Sequence, residues 1–291
     1  MNLLPFVASG LGLGAIYGMS GVGLVVLYRA SGTFNFAFGA LGALSAHCAW
    51  TLIQFETPVP LAWAAGVAIA ASCSWLYGRI VSSQLIDRDR SVRAIATLGL
   101  ALFLLGVVTT IWGPGLPRRL SLPIDNQVVQ WIAAATRVRL SYTRVLALSF
   151  AVLSVVGVGV LLGRTRLGLA MRALASDRSI SGLIGISAPR VDAIAWLISG
   201  AFAGVAGLFL ADLVVMSPIP LTFLVIPATA AAVIGGLSSM TGAFFGGLVG
   251  GFCESLLTGF PQFAGVRSAA PYLIALLFIA VFNRAPQGAR L

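Results

Sequence analysis

The chain has 291 residues, of which 59% are apolar and only 9% charged, with 18 Lys+Arg against 8 Asp+Glu. An ordinary soluble domain carries roughly 25% charged residues, so this composition excludes a soluble enzyme, a secreted disulfide scaffold and a disordered chain. The basic excess is all arginine, set between apolar runs, which reads as membrane topology and not as a nucleic-acid face.

A bilayer core needs about 20 apolar helical residues. Uncharged runs of that order occupy residues 3–28, 34–53, 59–77, 94–112, 145–163 and 193–211. Residues 219–253 are long enough for two passes around the turn-like Gly235-Gly236-Leu237-Ser238-Ser239, and 268–282 is a short last run. The expected fold is therefore an all-α polytopic membrane protein, a single transmembrane domain over 1–291 with eight or nine segments, in which either half of 219–258 is open to a re-entrant reading.

Arginines in the short loops set the orientation. Arg88, Arg90 and Arg93 lie in 84–93, Arg164, Arg166, Arg172, Arg178 and Arg190 in 164–190, and Arg284 and Arg290 in the tail. These three segments are expected in the cytoplasm, with Arg29 inside and the amino terminus outside. Residues 113–143 are then an external loop despite Arg118, Arg119, Arg137 and Arg139, because charge governs a long loop weakly; residues 138–142 alternate like a strand of a small cap.

Glycines recur at four-residue spacing: Gly10, Gly14 and Gly18; Gly200 and Gly204; Gly242, Gly246 and Gly250. On helices such rows make grooves in which a neighbouring backbone approaches closely, so they are assigned to helix packing. Cys48, Cys73 and Cys253 lie in apolar runs without C-x-x-C spacing and read as small core residues.

Catalytic signals are sparse. His47 is the single histidine, no G-x-x-x-x-G-K-[ST] exists in a chain without lysine, and no metal ligand set is evident. Gly18-Met19-Ser20-Gly21 matches the G-x-S-G of rhomboid-type intramembrane proteases, but small residues recur by chance in a glycine-rich helix and His47 follows in the very next run. Asp192, Asp212 and Glu254 fall near the ends of runs, where a charge reaches the interface cheaply. Intramembrane acid and base pairs of an ion-coupled carrier are not found. Residues 165–190 are good helix formers up to Ser176, with Leu169, Arg172, Ala173 and Ser176 on one face and a break at Gly182 and Gly185, a form suited to docking in a partner's groove.

Several short pieces, in order and spacing, resemble the LivH-type permease subunits of branched-chain amino acid ABC importers. They are Gly14-Ala15-Ile16-Tyr17, Asn35-Phe36-Ala37, Arg172-Ala173 with Asp177 and Gly185-Ile186, Ala206-Gly207, Gly235-Gly236-Leu237 with Gly242-Ala243, and Pro286-Gln287-Gly288. The resemblance implies an inner-membrane permease subunit without its own ATP site. It likewise implies a second homologous permease, ABC ATPase subunits that bind the ATP, and an external solute-binding protein as partners. It also implies coupling helices over 168–186, carried by Gly168, Arg172, Ala173, Asp177, Gly185 and Ile186. Tyr17, Asn35, Phe36 and Phe38 are expected near the solute pathway. Two departures bear on the substrate: Asn35-Phe36-Ala37-Phe38-Gly39-Ala40 stands where the family reads N-F-A-H-G-E, and Pro227 where it often has lysine. Branched-chain amino acids are the expected solutes, with urea, amides or aromatic acids as alternatives and a stand-alone secondary carrier as the rival class.

Overall fold

The computed structural model describes residues 4–86, 88–113, 118–120, 141–214, 216–260, 262 and 269–282. These form α1 (Leu4–Ser31), α2 (Phe38–Gln54), α3 (Val59–Tyr77, extended by a π-helical turn Gly78–Ser82), α4 (Arg90–Trp112), α5 (Tyr142–Arg164) and α6 (Arg166–Ser176). There follow α7 (Arg178–Leu183), α8 (Ala188–Leu213), α9 (Pro218–Thr222), α10 (Val225–Ile234), α11 (Met240–Thr258) and α12 (Ala270–Phe282). No strand forms among the described residues. Tyr142 of the expected strand opens α5 instead, where Ser141 Oγ accepts the Thr143 N–H at 3.3 Å; residues 138–140 lie outside the described residues, as does Pro286-Gln287-Gly288.

Among the described residues six helices are long and apolar enough to cross a bilayer: Phe6–Ser31, Val59–Ser82, Arg90–Trp112, Tyr142–Arg164, Ala188–Leu213 and Met240–Thr258. Three further apolar elements are shorter: α2 with 17 residues, the broken pair α9–α10, and α12 with 13. Proline explains the break. Pro227 has no N–H to give to the Phe223 carbonyl one turn back, so the chain makes a turn at Phe223-Leu224 and restarts.

At the centre α1 is apolar on every side and packs against α5, α8, α10 and α11. Its glycine row sets an antiparallel seam with α11: a Cβ built on Gly10 would lie 2.9 Å from the Phe252 Cα, on Gly14 2.8 Å from the Leu248 Cα, and on Gly18 2.7 Å from the Phe244 oxygen. From the other side Gly247 and Gly251 abut the backbones of Gly18 and Gly14. Gly242, Gly246 and Gly250 turn elsewhere, toward Gly235, Ile234 and Pro271, while Gly200 and Gly204 receive Ser74 and Val67 of α3. Such seams replace lipid contact by dispersion between backbones. By contrast α4 and α5 leave Ile95, Leu102, Phe103, Leu153 and Val156 more than half exposed, as a lipid- or subunit-facing surface does.

Polar contacts define the two ends of the bundle. At one end Ser9 of α1 meets Ser255 of α11 at 2.9 Å, and Trp112 of α4 donates to Thr51 of α2 at 2.7 Å. At the other, Arg93 of α4 reaches the Ser31 carbonyl at 3.0 Å and Arg29 reaches that of Ser238 at 3.2 Å.

Candidate functional site

A cleft of about 660 Å³ opens at the first end, within the range of small-molecule sites. Ser9, Leu13 and Tyr17 line it from α1, spaced four apart so that they share a face. Leu210 and Leu213 close it from the end of α8, and Leu221, Phe223, Leu224 and Pro227 supply a wall at the break between α9 and α10. Glu254 and Thr258 of α11, Arg144 of α5 and Tyr272 of α12 add the polar groups. Tyr17 donates its hydroxyl to Glu254 Oε2 at 2.9 Å. The lining thus combines a carboxylate, a guanidinium and phenols with a leucine- and proline-rich wall.

The other expected pathway residues are not brought to this cleft. Asn35 is buried and its Oδ1 accepts the Ala37 N–H at 3.0 Å, closing a turn just ahead of α2, while its Nδ2 has no partner. Phe36 is 37% exposed and its N–H bonds Thr97 Oγ1 at 3.1 Å. Phe38 is fully buried, its ring beside Gly23. The neighbouring Gly39 abuts the Thr222 carbonyl, so this segment lies on the other side of the broken helix from the cleft.

At the opposite end α6 and α7 form a helical pair. Thr165 caps α6 by accepting the Gly168 N–H at 3.1 Å, and Gly168 packs on the last turn of α5. Met171 and Leu174 are buried, whereas Leu169, Arg172 and Ser176 are exposed and Ala173 half-buried. The break comes at Asp177 and not at Gly182, which lies within α7. Asp177 is extended, and its Oδ1 accepts from Ser179 N at 2.8 Å and Ile180 N at 3.0 Å, capping α7. The Ser179 hydroxyl and then the Ile180 N–H hold its carboxyl below the ordinary 3.8. Gly185 takes φ +85°, which a β-branched residue resists, and leads to the half-buried Ile186.

Two partners escaped the sequence reading. Arg178 grips Asp192 with both arms, at 2.9 and 3.1 Å, and its Nη2 also donates to the Ala30 carbonyl of α1 at 3.0 Å. Asp192, in the first turns of α8, is 5% exposed and ion-paired. Glu254 likewise engages Tyr17. The signal available for both was a carboxylate inside an apolar helix, which by itself marks a candidate site. Ser20 and His47 do not pair: Ser20 donates to Ile16 O at 2.7 Å, and His47 Nδ1 lies 2.8 Å from Ala43 O. Among the described residues the three cysteines are unpaired and no cluster of His, Cys, Asp or Glu has the makings of a metal site.

Residues 6–282 match the protein family described as branched-chain amino acid transport system / permease component. The chain belongs to this family. It is 28% identical over 285 residues to the high-affinity branched-chain amino acid transport system permease protein LivH of Escherichia coli (strain K12), covering 92% of this chain and 91% of that one. A probable branched-chain amino acid transport permease protein LivH of Methanocaldococcus jannaschii is 28% identical over 275 residues (92% and 86%). The permease protein BraD of Pseudomonas aeruginosa is 29% identical over 265 residues (87% and 86%). No solved structure matches the chain significantly. With its six long apolar helices, this permease-family chain is a multi-pass membrane protein.

Proposed function

We propose that the chain is one permease domain of an ATP-driven importer in the bacterial inner membrane, moving branched-chain amino acids. It pairs with a second homologous permease, takes solute from an external binding protein and binds no nucleotide itself, leaving ATP to partner ATPases. Nine passes are inferred: the six long helices, α2, the broken α9–α10 and α12. Helix α2 extends about 26 Å at 1.5 Å per residue, and Arg29 bonding Ser238 supports α9–α10 running from end to end.

The carrying observation is the amphiphilic cleft on a chain of this family. Glu254 faces the ammonium of an amino acid, Arg144 the carboxylate, and the Leu210, Leu213, Leu221 wall the aliphatic side chain. Pro227, standing where relatives often have lysine, keeps that wall apolar. Asn35, Phe36 and Phe38 lie on the continuation of the route beyond the broken helix, closed in this conformation because Phe38 is fully buried. At the other end α6 and α7 act as coupling helices. Leu169, Ile180, Leu183 and Ile184 are 59 to 89% exposed beside arginines, a mixed surface fit for a partner's groove. In alternating access, ATPase closure pulls α6 and α7, and Arg178 passes the displacement to α1 and α8.

Uptake of labelled leucine into proteoliposomes holding this chain, its paired permease, ATPases and binding protein tests the reading. ATP-dependent uptake competed by isoleucine and valine is expected; uptake without ATPases, or competition by urea or aromatic acids alone, overturns it. Single cysteines at Glu56 and Ser179 in a cysteine-free background are expected to label from outside and inside respectively, and same-side labelling refutes the orientation. Ala173→Trp, in the half-buried part of the docking helix, is expected to insert normally and abolish ATPase stimulation by the loaded binding protein.

A further inference from the structure

We propose that the bundle end bearing α6 and α7 holds a specific site for the phosphate of an anionic phospholipid headgroup. A cleft of about 480 Å³ lies there between the end of α1, the start of α4, the end of α6 and the turn at 236–238. Arg29, Arg90, Arg93 and Arg178 line it, and no described carboxylate does. Asp192, behind Arg178, offsets one of the four charges.

The arginines divide into two pairs. Arg178 is committed to Asp192 and Ala30, and Arg93 Nη1 to the Ser31 carbonyl and Thr33 Oγ1, so these two are fixed by the fold. Arg93 Nε is nevertheless buried without a partner. Arg29 makes a single exposed bond to the Ser238 carbonyl, and Arg90 is exposed in the first turn of α4. Two rigid cations and two adaptable ones around one cavity suit the bidentate recognition of a phosphate.

The lining also says which phosphate. Ile86, Leu174 and Leu237 stand among the arginines, with Ile86 and Leu237 half-buried. A soluble anion has no use for that wall. A phospholipid does, because its glycerol and upper chain continue from the phosphate onto Ile86 and Leu237, and basic pockets between membrane helices at the headgroup level hold anionic lipids. The site depends on the chain being a membrane protein but not on the solute it moves, so its failure leaves the transport reading intact.

The test is native mass spectrometry of the full chain in detergent, titrated with phosphatidylglycerol and with phosphatidylcholine. Wild type is expected to retain one phosphatidylglycerol in preference to phosphatidylcholine. Removing the two adaptable cations with Arg29→Gln and Arg90→Gln together is expected to weaken it about thirtyfold, at about 1 kcal/mol per basic side chain. Arg190→Gln removes a charge at an exposed position that does not line the cleft and is expected to leave retention within about twofold of wild type. Equal retention of both lipids, or the same loss in Arg190→Gln as in the double variant, overturns the site. Displacement of the lipid by millimolar inorganic phosphate overturns the lipid assignment in favour of a soluble anion.

Discussion

At the cleft end Glu254 accepts a hydrogen bond from the neutral Tyr17 hydroxyl beside an open cavity; at the loop end Asp192 takes both arms of the Arg178 guanidinium and is closed off from solvent. A carboxylate beside an open cavity stays within reach of an incoming cation, whereas a bidentate ion pair in a buried setting is a fixed joint. Both contacts attach to α1, through Tyr17 and through the Ala30 carbonyl. Thirteen residues of straight helix, about 20 Å, separate them. The bundle therefore joins the cleft end to the rigid joint through a single helix, α1.

The largest way to break that arrangement is to break the seating of α1. A side chain at Gly247 would enter the Gly18 backbone, so Gly247→Val is expected to cost about 3 kcal/mol or more and to remove the folded chain from the membrane, read by fluorescence-detected size exclusion. Gly99 has nothing within 4 Å of a built Cβ, and Gly99→Ala is expected to leave the elution profile unchanged. Equal behaviour of the two variants would falsify the seam.

Next in size is the fixed joint. Asp192→Asn leaves Arg178 without its counterion; with the Arg178 side chain 31% exposed, the loss is expected near 2 kcal/mol, below the cost for a fully buried pair. ATP hydrolysis in the reconstituted complex is expected to persist while leucine uptake falls at least tenfold. Unchanged uptake would mean that the joint carries no motion.

The sequence carried the helices and the two loops because both rest on local signals, hydropathy over about 20 residues and helix formers ending at a capping residue. Partners distant in the chain were not legible. Gly10, Gly14 and Gly18 announce a groove, but which face of α11 fills it is a matter of rotation about that helix, and the row that does so, Gly247 and Gly251, is one residue out of phase with Gly242, Gly246 and Gly250. Tyr17 and Glu254 are 237 residues apart, and neither was paired by any periodicity. Asn35 was read for its amide in an apolar setting, whereas one of its two polar atoms closes a turn onto the Ala37 N–H ahead of α2.

A smaller effect is expected at the cleft end. Tyr17→Phe removes the donor to Glu254 and leaves the ring, so the chain is expected to assemble normally while the KM for leucine changes about tenfold, the scale of one hydrogen bond to a charged group. Glu254→Gln is expected to lower uptake further, since it also removes the charge proposed to face the ammonium. If Tyr17→Phe and Asp192→Asn combine additively in uptake, the two ends are independent; a shared helix predicts non-additivity.

The smallest effect concerns how the docking helices are set relative to the joint. Asp177 stands just before Arg178, and its carboxyl is held below the ordinary 3.8 by the Ser179 hydroxyl and the Ile180 N–H. A carboxyl whose folded value is depressed contributes stability that is complete above its unfolded value and is lost as pH falls through the folded one. The cap of α7 is therefore at full strength at neutral pH and weakens only in acid below 3.8. Hydrogen exchange of the peptide over residues 178–183, corrected for the intrinsic pH dependence, is expected to show protection constant down to about pH 4 and falling below it. In Asp177→Asn that acid dependence should vanish, and in Ser179→Ala the fall should be smaller and finish at higher pH, because the largest stabilising contact of the carboxylate is gone. Protection that falls identically in wild type and Asp177→Asn would mean that α7 is set by Arg178 at the rigid joint alone and not by its own cap.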